Sequence, residues 1–198
     1  MTVKARVLAV RLAIAGIALI GLGQMGDGVY IKAKAAVAQL LLDRAWSDTR
    51  ASGAPVKPWP WADTWPVARL TAPELDVDLI VLEGVSGQAL AFGPGRLPDL
   101  AGLGGPGTAI IAGHRDTHFD FLKDLETGHT LVLETADGRR HRYSVIDHQV
   151  LDYRHAALSE DVTTSRLVLV TCYPFDTLVP GGPLRYLVFT ERAADTAV

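Results

Sequence analysis

The sequence predicts a mainly β protein, closed as a barrel or stacked as a sandwich, behind a helical N-terminal segment. From residue 67 onward, apolar and β-branched residues fall into seven short runs, at 67–71, 76–82, 108–112, 130–134, 141–146, 166–171 and 184–189. Between two of them, Ala136-Asp-Gly-Arg139 carries the Asp-Gly pair that closes a hairpin. Helical patterning in this part is confined to two short stretches, 86–91 and 119–126. Strands this numerous and this short suit an antiparallel barrel or sandwich.

The N-terminal third reads differently. Lys4, Arg6 and Arg11 precede or open an apolar run, residues 12–25 carry no charge, and the first acid is Asp27. With Arg11 snorkelling, that run suits one membrane crossing, with the basic end in the cytoplasm and the rest of the chain outside it. A cleaved signal peptide has the same layout, but Asp27, Lys32 and Lys34 make the Ala33-Lys-Ala35 stretch a poor cleavage site. A second helix is expected from Tyr30, with Ile31, Ala35, Ala38, Leu42 and Ala45 at helical spacing, followed by a polar linker over 47–57. The expected boundaries are therefore a cytoplasmic tail and transmembrane signal anchor over 1–29, helix and linker over 30–57, a β domain over 58–192, and a tail over 193–198. Pro58-Trp-Pro-Trp-Ala-Asp-Thr-Trp-Pro66 opens the β domain with three of the four tryptophans. Its prolines forbid a helix, so it is expected to be an extended strap that buries its indoles, the alternative being a platform for lipid or ligand.

At 198 residues the chain fits one domain with an appendage. Its 19 basic and 22 acidic residues give a net charge of −3, which argues against a nucleic-acid-binding surface. One cysteine excludes a disulfide scaffold and a cysteine-rich zinc module. Glycines 21, 23 and 26, and again 102, 104 and 107, fit G-x-G-x-x-G. Neither copy sits between a strand and a helix of a βαβ unit, so no dinucleotide cofactor is expected.

The chemistry centres on Cys172, which ends the run Leu-Val-Leu-Val-Thr-Cys and precedes Tyr-Pro-Phe-Asp. A buried, inert thiol is the ordinary state of a free cysteine. In an exported chain, however, an unpaired thiol at a strand end, and so at a barrel mouth, fits a nucleophile, which needs a base and a charge stabiliser. Of the six histidines, His114 alone also follows a strand, in Ile-Ile-Ala-Gly-His; His129, His141, His148 and His155 are expected at the surface. His114, Asp116, His118 and Asp120 alternate and share a face, but zinc-hydrolase spacings are absent and no metal is expected. Arg185 lies 13 residues beyond Cys172 across Pro180-Gly-Gly-Pro183, so the two can face each other on antiparallel strands. An edge or outward-facing charge is the alternative for Arg185.

Ala-Gly-His114-Arg-Asp-Thr-His-Phe, then Leu-Val-Thr-Cys172, then Arg185 in a terminal strand behind a basic N-terminal anchor, resembles the sortases. The Pro-Trp-Pro-Trp and Thr-Cys-Tyr-Pro-Phe segments are similar to those of Gram-negative sortases. The resemblance runs from about residue 59 to residue 191, with Val168 where many sortases carry threonine and a Cys-to-Arg loop longer than in many of them. It implies an eight-stranded sortase-type β-barrel with short helices and a membrane-anchored cysteine transpeptidase. Cys172 would attack a carbonyl of a C-terminal sorting motif of the Leu-Pro-x-Thr-Gly type, forming a thioacyl enzyme. His114 would serve as acid and base, and Arg185 would hold the oxyanion. Thr171, Tyr173, Pro174 and Asp116 would contact substrate, with groove walls from 85–97 and 175–183. The implied partners are a protein bearing the sorting motif, an amine acceptor and the inner membrane, with the catalytic domain in the periplasm and no cofactor. Two other readings stay open: an exported cysteine hydrolase using the same Cys/His pair, and a non-catalytic β module.

Overall fold

The structure, a computed structural model, describes residues 3–98, 100–155, 164–177 and 181–193. The chain divides into two compact units, Met1–Leu40 and Leu41–Val198.

Where two helices were expected there is one, α1 (Val3–Ser52). No proline occurs before Pro55, and alanine and leucine dominate, so nothing interrupts the hydrogen-bond ladder at the expected boundary near residue 29. The helix also consumes the first half of the expected linker. It ends at Gly53, whose φ of 69° is the left-handed stop that glycine adopts without strain and whose N–H donates to the Thr49 carbonyl at 2.9 Å. The membrane anchor expected over 1–29 is not supported: no helix among the described residues is long and apolar enough to cross a membrane. Most side chains of the apolar run lie outside the described ones, and the helix runs on through the charged Asp27, Lys32 and Lys34.

Within the second unit, the end of α1 packs by Leu42 and Trp46 against Ile80 and Leu82, with Phe92 and Ala136 alongside. Arg50 of the same turn pairs with Glu134 at 2.8 Å. The tryptophan segment is a strap only in part. Trp59 meets Phe92 edge-on with centroids 4.9 Å apart, and the Thr64 hydroxyl donates to the Glu83 carbonyl at 2.6 Å. Trp61, by contrast, is 76% exposed.

Eight strands follow: β1 (Pro66–Ala72), β2 (Val77–Glu83), β3 (Gly95–Arg96), β4 (Gly107–Ala112), β5 (Thr130–Thr135), β6 (Arg140–Asp152), β7 (Ser165–Cys172) and β8 (Leu184–Arg192). They close into a barrel in the order β1-β2-β3-β4-β7-β8-β6-β5. The pairs β2/β3 and β4/β7 are parallel and the others antiparallel. All seven sequence-predicted strands are present. The eighth, β3, is two residues long and too short to show alternation. β6 extends well past the expected residue 146, because a register shift between Val145 and Asp147 breaks the period-two pattern that would have shown its second half. The expected helix at 86–91 is α2 (Gly87–Phe92), capped by the Ser86 hydroxyl, which accepts from the Ala89 N–H. The one expected at 119–126 contracts to a 3₁₀ turn, Asp120–Lys123.

The barrel interior is filled by residues such as Leu70, Val81, Ile111, Leu131, Leu133, Tyr143, Leu167, Leu169 and Val188. On β4, β7 and β8 the alternate residues are apolar as well. Ile110, Val168 and Leu187 form a separate outer cluster with Leu97, Leu100, Leu151, Val170 and Phe189. This wall of the barrel is therefore apolar on both faces, which is why β7 reads as a continuous apolar run.

Candidate active site

Strand register brings the three candidate residues together. β7 and β8 pair antiparallel with Cys172 directly opposite Arg185. β4 and β7 pair parallel with Ala112 opposite Val170, and the Gly113 N–H donates to the Val170 carbonyl at 3.1 Å. Two residues further along each chain, His114 and Cys172 leave the sheet side by side. Side chains alternate across a strand, so Cys172 continues the face of Val168 and Val170, His114 that of Ile110 and Ala112, and Arg185 that of Leu187 and Phe189. That face is the outer one.

The expected position at the barrel mouth is thus corrected to the outside of the wall. The end of the barrel on this side is filled instead by aromatic rings. Tyr186 stacks with Tyr173 at 6.2 Å, meets Phe175 edge-on at 5.2 Å and lies 5.8 Å from the His148 ring. Tyr186 and Phe175 also pack against the interior core. His148 is consequently half-buried, and His141 is buried at 6% exposure; both depart from the expected surface position.

On this face Leu97, Ile110, Ala112, Leu151, Val170 and Leu187, together with Tyr153 and Arg185, line a groove of about 370 Å³. His114 is exposed and Cys172 half-buried; of the three candidate residues, Arg185 lines the groove.

Three contacts fix the loops that carry these groups. The Thr171 hydroxyl donates to the Gly113 carbonyl at 2.7 Å and is buried, tying the residue before the cysteine to the residue before the histidine. Arg115 reaches from the histidine loop to the cysteine loop, donating to the Pro174 carbonyl at 2.8 Å and the Thr177 carbonyl at 3.2 Å. The third contact is the fold of 113–119 on itself. The Phe119 N–H donates to the His114 carbonyl at 2.9 Å, and the Phe119 ring lies where a side chain on Gly113 would begin, 2.8 Å from an ideal Cβ. Glycine is required there for that close approach.

Of the residues expected to touch substrate, Thr171 points inward and holds the loops together. Tyr173 and Pro174 are half-buried beside Cys172, the Tyr173 N–H donating to the Leu184 carbonyl at 3.1 Å. Asp116 is exposed two residues past His114. Replacing Thr171 by valine keeps the shape but leaves the Gly113 carbonyl without this donor. Thermal or denaturant unfolding is expected to show a loss of about 1–3 kcal/mol, with Thr171→Ser close to wild type.

The electrostatics favour an anion at Arg185. Its Nη1 donates to the Gly182 carbonyl at 2.7 Å and the Leu184 carbonyl at 2.8 Å, and its guanidinium lies 4.6 Å from the centroid of the Tyr153 ring. Among the described residues no carboxylate forms an ion pair with it, whereas Arg69, Arg96 and Arg154 are each paired with an acid. Burial, and then the charge of His114, lowers the His118 pKa from the usual histidine value.

Residues 70–193 match the family model of the sortase domain. The chain belongs to the sortase family. Among curated proteins it is similar to Sortase D of Bacillus subtilis, 29% identical over 124 residues that make up 62% of each chain, so it spans less than two thirds of that relative. Among solved structures, sortase C-1 from Actinomyces oris superposes with a TM-score of 0.58 at 28% identity, over 65% of this chain and 75% of that one. A Clostridium perfringens Sortase D5 transpeptidase shares the fold with a TM-score of 0.65 at 17% identity, over 80% of this chain and 99% of that one. These relatives come from Gram-positive bacteria, and the expected tie to Gram-negative sortases is not supported. The segments that suggested it are only four or five residues long, and one of them leaves Trp61 in solvent.

Two residues beside the candidate site escaped the sequence reading. Arg115 carries no signal beyond adjacency to His114, because its acceptors are main-chain carbonyls. Tyr153 lies past the point where the break in β6 hid the strand.

Proposed function

We propose that this sortase is a cysteine transpeptidase that cuts a C-terminal sorting motif of the Leu-Pro-x-Thr-Gly type and passes the acyl group to an amine. The observation that carries this reading is Cys172 opposite Arg185 at adjoining ends of β7 and β8, with His114 two residues past the end of the neighbouring β4 and Arg185 lining an apolar groove. The groove suits the apolar side chains that precede the scissile bond in such a motif.

In the first half-reaction the Cys172 thiolate attacks the scissile carbonyl carbon, forming a C–S bond as the carbonyl oxygen takes up negative charge. Arg185 would stabilise that oxyanion, since its guanidinium is permanently charged and, among the described residues, no carboxylate pairs with it. The C–N bond then breaks, and the leaving amine takes its proton from His114. In the second half-reaction the acceptor amine forms a C–N bond to the thioester carbon and gives a proton to His114. The C–S bond breaks and the thiolate is restored. The thioester retains acyl-transfer potential that direct hydrolysis would discard. The setting we propose is outside the cytoplasm, on the strength of Lys4, Arg6 and Arg11 before the apolar run.

The test is mass spectrometry on a Leu-Pro-x-Thr-Gly peptide incubated with the protein, with and without hydroxylamine. We expect an acyl adduct on Cys172 and, with amine, the hydroxamate of the N-terminal fragment. Free acid alone at saturating amine would replace the reading with the hydrolase, and absence of any Cys172 adduct would remove it.

A further inference from the structure

We propose that Tyr153 is a positioning residue whose ring holds the Arg185 guanidinium at the Cys172 end of the groove. The inference rests on the transpeptidase reading and adds a residue to its machinery. The guanidinium carbon lies 4.6 Å from the ring centroid, inside the range of a cation–π contact. Both partners are carried by one strand pair, β6 and β8, with Leu151 opposite Arg185 and Asp152 opposite Leu184. Just past this register the Tyr153 N–H donates to the Pro183 carbonyl at 3.0 Å. The same turn supplies the Gly182 carbonyl that accepts from Arg185 Nη1 at 2.7 Å. The guanidinium is therefore held by a ring just past the end of β6 and by carbonyls at the entrance to β8.

The neighbouring carboxylate is kept out of this arrangement. Asp152 accepts from the Arg154 N–H and Nε at 3.0 Å each and from its Nη2 at 2.6 Å, with His155 at 3.7 Å. These contacts commit its charge to Arg154, and Arg154 holds the Asp152 carboxyl well below the usual carboxylate range. A carboxylate in the place of the ring would neutralise Arg185 and compete with the oxyanion. A ring restrains the guanidinium without cancelling its charge. An arginine side chain has several free rotors, so one already restrained needs less ordering as negative charge develops on the substrate.

The ring, not the phenol hydroxyl, is what the contact uses. On the peptide and amine assay, Tyr153→Ala is expected to lower kcat about two- to fivefold with KM little changed, the worth of a cation–π contact to an exposed ring. Tyr153→Phe should restore most of that loss. In an Arg185→Ala background the Tyr153→Ala change should cost nothing further. Equal fold losses in both backgrounds, an effect confined to KM, or a faster Tyr153→Ala enzyme would overturn the proposal. A second readout needs no turnover: the Arg185 Nε–H resonance should be ring-shifted in the wild type and return to its ordinary position in Tyr153→Ala. No shift in the wild type also overturns the inference. A clear shift in a protein without Cys172-dependent turnover would support the contact and bring down the transpeptidase reading instead.

Discussion

Cys172→Ala is expected to lower turnover of a sorting-motif peptide by at least about 10⁴-fold, with no acyl adduct on the protein. The size of the effect follows from what the sulfur does. In the proposed mechanism it makes and breaks the bond to the acyl carbon, and nothing else among the three candidate residues can take its place. Arg185 has no nucleophilic form, and an imidazole acylated at His114 would not sit opposite the guanidinium. The substitution should be nearly silent for stability. Cys172 is half-buried, at the end of β7, and its side chain lies on the outer face away from the interior core. A melting temperature within a degree or two of wild type would therefore accompany the loss of turnover. A Cys172→Ala protein that still joined peptide to amine would dismiss the mechanism outright.

His114→Ala should reduce turnover by about 10³-fold, in the middle of the range for a lost acid–base group. Both proposed half-reactions move a proton through this imidazole, so neither adduct formation nor its resolution should survive at the normal rate. The side chain is exposed and the loop is held by Gly113, Phe119 and Arg115, so the fold should tolerate its removal. Rapid-quench mass spectrometry separates the two steps. Adding free imidazole should recover part of the activity if the missing group is a proton carrier in an open site. Recovery by imidazole in His114→Ala but not in Cys172→Ala would distinguish the two roles.

Much of this arrangement was legible before any coordinates. Seven strands announced themselves because their side chains alternate or are β-branched, and Cys172, His114 and Arg185 stood out because each lies at the end of one. What the sequence could not show was the face. The two apolar clusters of β4, β7 and β8 give these strands a continuous apolar pattern, and such a pattern does not say which residues point inward. Cys172 can thus be placed at a strand end but not on a side, and nothing in the pattern shows that Thr171 lies on the opposite, buried face. The helical segment misled for another reason: a break near residue 29 was drawn from a change in polarity, whereas a helix stops where its backbone must, here at Gly53. Arg115 and Tyr153 were missed because their partners are carbonyls and a guanidinium more than thirty residues away, brought near by pairing that local pattern does not encode.

Because the sulfur sits on the exterior of a closed wall, the polypeptide substrate of the proposed reaction would reach it sideways. No chain end has to be threaded, and no stave of the cylinder has to part. A tail lying across the outside can trail a folded cargo of any bulk, and the second molecule can approach from the open flank while the first is still in place.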